Sequence, residues 1–203
     1  AVLPLITEIE HRLSGLAEVE EVVVAGSTRR WKETIGDADI LAISRKPEKV
    51  MDFFVAMAEV MDVQGQGKTK STVKLKNGMD VDLRVVPRES FGAALNYFTG
   101  SKDHNVALRR IAQDKGLKLN EYGLFHGSKR VAGKTEEELY KALGLSYIPP
   151  ELRENQGEIE AAKKGDLPDL VGYEELRGDL QTQTTWTDGA NSIEEMAEQA
   201  KRL

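Results

Sequence analysis

Two aspartates one residue apart, Asp37 and Asp39, have the residue type and spacing to bind a metal ion. They precede the apolar run 40–43 and follow a Gly26-Ser27 turn and a short basic stretch, an order typical of strand, turn, helix and strand. On an extended strand, both carboxylates would share one face. Because two close negative charges repel each other, a divalent cation between them is the natural candidate. Ordinary solvated turn carboxylates are the alternative.

A second acidic strand follows the hairpin dipeptide Asn77-Gly78. Residues 79–86 alternate between apolar and charged with the period of a strand, which places Asp80, Asp82 and Arg84 on one face. A third carboxylate beside the first pair would complete a site for two metal ions. Periodicity alone does not choose between Asp80 and Asp82.

The Gly26-Ser27 turn has a further property. A glycine lets the backbone approach a ligand closely, and the first N–H groups of the following helix attract an anion. We therefore expect Ser27 and Arg30 to face phosphate.

These residues need a sheet to position them. Amphipathic helices are predicted over 3–18 and from Pro47 onward, and together with the strands they predict an α+β domain with a mixed sheet, helices on one face and an end near Pro87. The predicted strands cover residues 22–25, 39–43, 60–64, 70–76 and 79–86.

A second, smaller α+β unit is predicted after Pro87. It comprises two helices broken at Gly100, short strands within 117–131, and a helix that a capping box opens at Thr135 and that Gly144 ends. Pro149-Pro150 then marks a boundary, and the polar stretch 151–172 reads as a linker or a loosely docked extension. A last helix is predicted from Ser192.

Composition limits the class of protein. The 203 residues carry a net charge of −6 and no cysteine, which excludes a disulfide framework or a thiolate zinc site and indicates a reducing, cytoplasmic location. No apolar run approaches the roughly 20 residues that a membrane span needs. Because the sequence begins with alanine, we expect a fragment of a longer chain.

Positive charge is concentrated in the middle of the chain. Residues 65–135 carry 14 Lys and Arg against 6 Asp and Glu, a net charge of +8, while both flanks are acidic. Lys74 and Lys76 belong to this basic segment, which surrounds the acidic strands. The concentration indicates a footprint for a phosphate backbone, with an ordinary solvated basic face as the alternative for any one residue.

Residues 22 to about 150 resemble the palm and thumb of family X DNA polymerases, the DNA polymerase beta-like group, and specifically the prokaryotic members. Four motifs in order carry the resemblance: the run of Gly26-Ser27, Arg29-Arg30 and Gly36 to Asp39, then Val81 to Pro87, Tyr97 to Ser101 with Asn105 and Arg109, and Leu119 to Tyr122. It implies a nucleotidyltransferase palm at 1–88, a nucleotide-selecting thumb at 89–150, a linker at 151–172 and the truncated start of a PHP-like domain at 173–203.

The resemblance also implies roles for individual residues. Asp82, two before Arg84, becomes the third metal ligand with Asp37 and Asp39, and Asp80 becomes a structural or substrate-strand residue. The implied nucleotide-binding residues are Gly26, Ser27, Arg30, Gly36, Tyr97, Phe98, Gly100 and Asn105. The implied DNA-binding residues are Lys74, Lys76, Arg84, Arg109, Asn120, Glu121 and Tyr122.

The tail resembles the opening of the PHP phosphoesterase domain, which usually carries two metal-binding histidines. Gln181 and Gln183 occupy those positions here, and a neutral amide is a poorer transition-metal ligand than imidazole. We therefore expect no PHP nuclease activity from this chain. The family's lyase and helix-hairpin-helix modules have no clear counterpart in the sequence.

The function that the resemblance implies is two-metal transfer of a nucleotide from a dNTP to a primer 3′-hydroxyl, in gap-filling DNA repair. Two Mg²⁺ ions, which Mn²⁺ could replace, would be the cofactors, and a monomer would act on primer-template or gapped DNA away from any membrane. The alternatives are a template-independent nucleotidyltransferase and a noncatalytic fragment that binds DNA or nucleotide.

Overall fold

The computed structural model describes residues 2–172, 175–178 and 181–202, with only the backbone of residue 2. These residues divide into two compact units, Ala1–Leu167 and Pro168–Leu203. The predicted PHP-like start falls in the second unit, and residues 173, 174, 179, 180 and 203 of it lie outside the described residues.

A mixed five-stranded sheet forms the first lobe of unit one, in the order β1-β2-β5-β4-β3. Strand β2 pairs in parallel with β5, and the other neighbouring strands are antiparallel. The α+β prediction and the five-stranded mixed sheet are confirmed. The strands are β1 Val19–Val24, β2 Asp37–Ser44, β3 Val60–Gln66, β4 Lys70–Leu75 and β5 Asp80–Val86.

Helices cover both faces of this sheet, whereas the sequence predicts helices on one face. On one face, α1 (Val2–Ser14) and α3 (Pro47–Val55) bury Ile9 and Phe54 completely against the sheet. On the other face, α4 (Phe91–Thr99) packs on Leu41 and Ile43. Because α4 lies beyond Pro87 in the chain, the local pattern of the first lobe does not reveal this second covering helix.

The second lobe combines a three-stranded antiparallel sheet with helices. Thr135 caps α6, since its side chain accepts a hydrogen bond from the Glu138 N–H, and Gly144 ends this helix in a left-handed conformation. The Glu138 side chain accepts from the Lys134 N–H at 3.2 Å rather than from the Thr135 N–H, so only the Thr135 half of the predicted capping box is formed. The elements are α5 Lys102–Asp114, β6 Lys118–Asn120, β7 Gly123–His126, β8 Lys129–Ala132 and α6 Glu136–Leu143.

The segment after Pro150 differs from the predicted linker. Residues 158–164 form helix α7 (Glu158–Lys164), whose Ile159 and Ala162 join the core of the second lobe. Arg153 is completely buried. Most of the large apolar residues up to residue 167 pack on the core of the second lobe, and the buried polar groups find partners on other helices. The average polarity of the segment is therefore misleading.

The tail beyond residue 167 has one helix within the described residues, α8 (Ile193–Arg202). The Ser192 side chain accepts a hydrogen bond from the Glu195 N–H at its start, as the predicted helix start requires. None of the helices formed by the described residues combines the length and the apolar character needed to cross a bilayer.

A glycine determines how closely α4 can approach the start of α6. The Gly92 N–H donates to the Lys134 carbonyl at 3.0 Å, and a Cβ at Gly92 would lie 2.2 Å from the Thr135 carbonyl carbon. No real side chain tolerates that distance to a backbone atom. Only glycine fits this contact inside the second lobe.

We expect Gly92→Ala to lower the free energy of unfolding by about 1–3 kcal/mol or more, because the added methyl forces α4 away from Thr135. Gly65→Ala is the matched control, since a Cβ there meets nothing within 4 Å. Urea unfolding followed by circular dichroism measures both variants. Equal midpoints for Gly92→Ala and wild type would contradict the assigned packing.

Candidate active site

The two predicted acidic strands lie side by side. In the parallel pairing of β2 with β5, Asp37 is opposite Asp80 and Asp39 is opposite Asp82. The two pairs share the sheet face that carries Leu41 and Ile43, beyond the end of the area that α4 covers. The sheet therefore brings the carboxylates together on one surface.

Asp39 experiences this concentration of charge most strongly. Its pKa is raised to about 6, first by burial and then by the nearby carboxylates of Asp37 and Asp82, against the opposing effect of Arg84 and Lys70. The ionised form of Asp39 is disfavoured beside these two carboxylates. A cation placed among the three would stabilise it. The donor chemistry therefore fits a hard divalent ion with oxygen ligands.

The Gly26 turn approaches this carboxylate closely. The chain at Gly26 is left-handed (φ +65°), and a Cβ there would lie 2.9 Å from Asp39 Oδ2. The Ala25 N–H also donates to the Asp39 carbonyl at 2.7 Å. A glycine at this position thus lets the turn pack against the acidic strand, as the predicted Gly-Ser turn requires.

Asp82 has its own partners on β4. The Thr72 hydroxyl donates to Asp82 Oδ1 at 2.5 Å, and Lys70 Nζ lies 3.0 Å from Asp82 Oδ2. Arg84 is farther away at 3.8 Å and stacks on the Phe98 ring with its guanidinium carbon 4.4 Å from the ring centre. Across the described residues, no three His, Cys, Asp or Glu side chains stand in a metal-binding arrangement. The proposed ligand set therefore consists of Asp37 and Asp39, with Asp82 beside them in an ion pair with Lys70.

Asp80, the alternative third carboxylate, is occupied elsewhere. It accepts a hydrogen bond from Gln64 at 3.0 Å and lies 3.6 Å from Lys74 Nζ. This pairing also engages Lys74, which the sequence predicts to bind DNA. Lys76, two residues after Lys74, is exposed.

A cleft of about 370 Å³ brings together most of the predicted nucleotide-binding residues. Asp37 and Asp39 line it from the first lobe. Gly36, which precedes Asp37 at the exposed start of β2, lies beside the cleft rather than in its wall. The predicted residues in the wall are Gly26, Ser27, Arg30, Tyr97, Phe98, Gly100, Asn105 and Arg109.

Arg30 is already paired within the cleft wall. Its Nε lies 2.9 Å from Glu154 Oε1, and its Nη1 donates to the Thr99 carbonyl. A phosphate would therefore have to share this guanidinium with Glu154. Thr99 and Lys102 also line the cleft, although the sequence analysis did not select them.

The remaining predicted DNA contacts belong to the second lobe. Arg109 also borders a small pocket with Asn120. The Asn120 side chain accepts from the Tyr122 N–H at 2.9 Å, and Tyr122 is 58% exposed at the turn between β6 and β7. Glu121 is half-buried in the same turn.

A larger groove of about 710 Å³ runs between α5 and α7. Arg109 contributes to it, but Asp37, Asp39 and Asp82 do not. We place the site in the smaller cleft, because the acidic pair and the predicted nucleotide-binding residues meet there.

The sequence analysis missed the ion-pair cluster that holds the lobes together. Glu136 is 4% exposed and lies 2.8 Å from Arg29 and 2.5 Å from Arg153. Burial raises the pKa of Glu136, but the two guanidiniums outweigh burial and leave the pKa lowered. Arg29 belongs to α2 (Gly26–Arg29), so this cluster fixes the Gly-Ser turn to the second lobe. No local pattern signals a pair separated by 107 residues.

Comparison with known proteins bears on the whole chain. The family described as DNA polymerase beta thumb matches residues 94–154. DNA polymerase/3′-5′ exonuclease PolX of Bacillus subtilis is 37% identical over 200 residues, which is 97% of this chain and 35% of the relative. DNA polymerase lambda of Rattus norvegicus is 30% identical over 162 residues, 65% of this chain and 28% of the relative.

A shorter relative is covered more completely. Repair DNA polymerase X of African swine fever virus is 30% identical over 143 residues, 66% of this chain and 82% of the relative. By contrast, the chain spans only about a third of the length of the Bacillus subtilis relative.

Replacement of Asp39 tests the charge concentration. In metal-free buffer, wild-type Asp39 retains its proton between about pH 4 and pH 6 while the unfolded chain has lost it, so stability falls as pH rises through that window. We therefore expect Asp39→Asn to raise the free energy of unfolding by up to about 3 kcal/mol at pH 8 and to have little effect at pH 4.

Asp80→Asn is the matched control, because the Asp80 side chain is only half-buried and is paired with Gln64 and Lys74. It should leave stability nearly unchanged at both pH values. Thermal unfolding in EDTA at pH 4 and pH 8 provides the measurement. A destabilised Asp39→Asn variant at pH 8 would show that the carboxylates do not repel each other as described.

Proposed function

The chain belongs to the family X DNA polymerases, and we propose from this premise that it transfers a nucleotide from a dNTP to a primer 3′-hydroxyl. The observation that supports this most is the cleft in which Asp37 and Asp39 meet Tyr97, Gly100 and Asn105 of the second lobe. An acidic pair and a nucleotide-sized recess in one place are what this reaction needs.

Asp37 and Asp39 would hold the divalent cations in this proposal, with Asp82 completing the ligand set for one of them. Two bound Mg²⁺ ions would supply charge neutralisation on the triphosphate and a lowered pKa for the attacking hydroxyl. For Asp82 to take part, its carboxylate must exchange the Lys70 contact for the cation. Lys70 and Thr72 would then hold Asp82 in place between reactions.

Residues of the cleft wall would orient the nucleotide. Ser27 and Arg30 would bind the phosphates, with Arg30 shared between phosphate and Glu154. Tyr97 and Phe98, whose rings meet edge to face at 5.0 Å, would flank the sugar. Asn105 and Arg109, along one side of α5, would approach the base pair that forms.

We further propose gapped DNA as the substrate and repair as its context. The African swine fever virus relative is named a repair DNA polymerase. The name of the Bacillus subtilis relative combines DNA polymerase with 3′-5′ exonuclease. The exposed Tyr122 and the basic residues of the second lobe would lie along the template. Residues 1–88 would serve as palm and residues 89–150 as thumb, to which α7 adds its packing. The tail would be the start of a PHP-like domain with Gln181 and Gln183 in place of histidines.

Replacement of Asp82 tests the proposal directly. We expect Asp82→Ala to lower Mg²⁺-dependent extension on a one-nucleotide gap by at least about a hundredfold, because a charge-stabilising group next to the reacting atoms is lost. Asp80→Ala, on the same strand and face, should retain most of the activity, since Asp80 contacts Gln64 and Lys74.

The assay compares extension of a labelled primer within a gapped duplex with extension of the same primer as a single strand. Extension of the single strand alone would favour a template-independent nucleotidyltransferase, and binding without extension would favour a noncatalytic fragment. Wild-type extension rates in Asp82→Ala would contradict the mechanism.

A further inference from the structure

His104 is a buried histidine that the proposed reaction does not use. It lies in the first turn of α5 with no exposed surface, next to Asn105 in the sequence. Asn105 is 8% exposed and lines the cleft. A fully buried imidazole one residue from a nucleotide-binding position needs a physical account.

Both ring nitrogens of His104 have partners. Nδ1 lies 2.6 Å from Glu158 Oε1 and Nε2 lies 2.9 Å from the Tyr140 hydroxyl. Glu158 also accepts backbone hydrogen bonds from Asn155 at 2.9 Å and Gln156 at 2.7 Å, as an ionised carboxylate does. His104 Nδ1 is therefore the donor to Glu158.

A chain of hydrogen bonds continues from Tyr140 to the cleft. The Tyr140 hydroxyl donates to Asn96 Oδ1 at 3.1 Å, and Asn96 Nδ2 donates to Asn105 Oδ1 at 3.4 Å. Asn105 Nδ2 then donates to the Tyr97 carbonyl at 2.7 Å. Asn96 and Tyr140 are almost completely buried, so water does not substitute for these partners.

The direction of this chain depends on one proton. A tyrosine hydroxyl has a single hydrogen. If His104 carries a proton on Nε2 as well as Nδ1, the Tyr140 oxygen accepts from the ring and its hydrogen goes to Asn96. If the ring is neutral, Nε2 accepts the Tyr140 hydrogen instead. The Tyr140 oxygen and Asn96 Oδ1 then meet as two acceptors, and Asn96 must turn its amide and release Asn105.

Charged groups on several elements face this ring. Burial lowers the pKa of His104, and Arg153 lowers it further, whereas Glu158 of α7 and Glu136 of α6 raise it. Tyr140 of α6 faces the ring with a neutral hydroxyl, since burial keeps it protonated. The net direction is a lowered pKa, so His104 gains its second proton at a lower pH than an ordinary histidine does.

We propose that His104 is a positioning residue whose protonation sets the direction of the hydrogen-bond chain through Tyr140 and Asn96, and thereby the orientation of Asn105 toward a bound nucleotide. Its kinetic consequence rests on the proposed polymerase function, but the coupling of His104 to Asn105 does not.

Nuclear magnetic resonance tests the coupling without any activity. The chain has three histidines, and the exposed His11 and His126 serve as internal references for the titration of His104. We expect the Asn105 side-chain amide signals to shift together with the His104 ring in wild type. In Tyr140→Phe they should no longer follow it, because the linking hydroxyl is gone.

Tyr147→Phe is the matched control. Tyr147 packs edge to face on Tyr140 at 5.6 Å, but its hydroxyl points to Glu136 rather than to Asn96. Its Asn105 signals should follow the His104 titration as in wild type. Constant Asn105 signals through the wild-type titration would overturn the proposal, as would an undiminished response in Tyr140→Phe.

Steady-state kinetics separate positioning from stability. At a pH below the midpoint of the His104 titration, we expect Tyr140→Phe to raise the KM for dNTP about fivefold at unchanged kcat relative to wild type, which corresponds to one neutral hydrogen bond. At a pH well above that midpoint the ratio of the two KM values should fall toward one, because the wild-type hydrogen-bond chain is then already reversed. A ratio that is the same at both pH values would indicate a purely structural role and would overturn the proposal.

Failure of the proposed function gives a different result. Wild type would then extend no primer, while the magnetic resonance titration would still decide whether His104 and Asn105 are coupled.

Discussion

The buried carboxylate of Glu136 is the interaction on which the geometry of the cleft depends. It forms ion pairs with two guanidiniums, Arg29 from the turn beside the acidic strands and Arg153 from the segment after the second lobe. Burying these charges costs free energy, which their mutual attraction and hydrogen bonds must offset. Because these opposing contributions nearly cancel, we infer that the main effect of the cluster is to select one arrangement of the two lobes. Since the cleft has one wall on each lobe, that arrangement determines the distance across which a ligand can be held.

The sequence predicted the sheet because its signals are local. Period-two alternation and an Asn-Gly turn identify β4 and β5, and the same turn fixes their register: with Leu75 next to Met79, Thr72 falls opposite Asp82 and Lys74 opposite Asp80. The partners of both carboxylates were therefore encoded in the hairpin, although the sequence analysis did not extract them. The prediction of a linker at residues 151–172 was wrong over residues 151–164, for the opposite reason. Their burial depends on partners far away in the chain, such as Glu136 for Arg153 and His104 for Glu158.

The cleft shows the same division between local and distant information. Motif spacing selected residues from α2, β2 and α5, and the fold brings them to one recess. It could not show that Arg30 is held by Glu154, 124 residues later, or that Asn105 is the end of a buried chain of amides and hydroxyls. The sequence shows which side chain stands at a position. Which groups that side chain already pairs with depends on the tertiary structure.

The outer position of β3 affects how copies of this protein meet at high concentration. An outer strand offers a row of backbone groups to which another strand could add, and β3 carries the exposed Met61 and Val63 as well. Its pairing with β4 is irregular between Val60 and Asp62 and again between Val63 and Gly65. Such irregularities bend a strand and break the even spacing that an incoming strand must match. The edge is thereby a poor template for edge-to-edge aggregation, in spite of its apolar side chains.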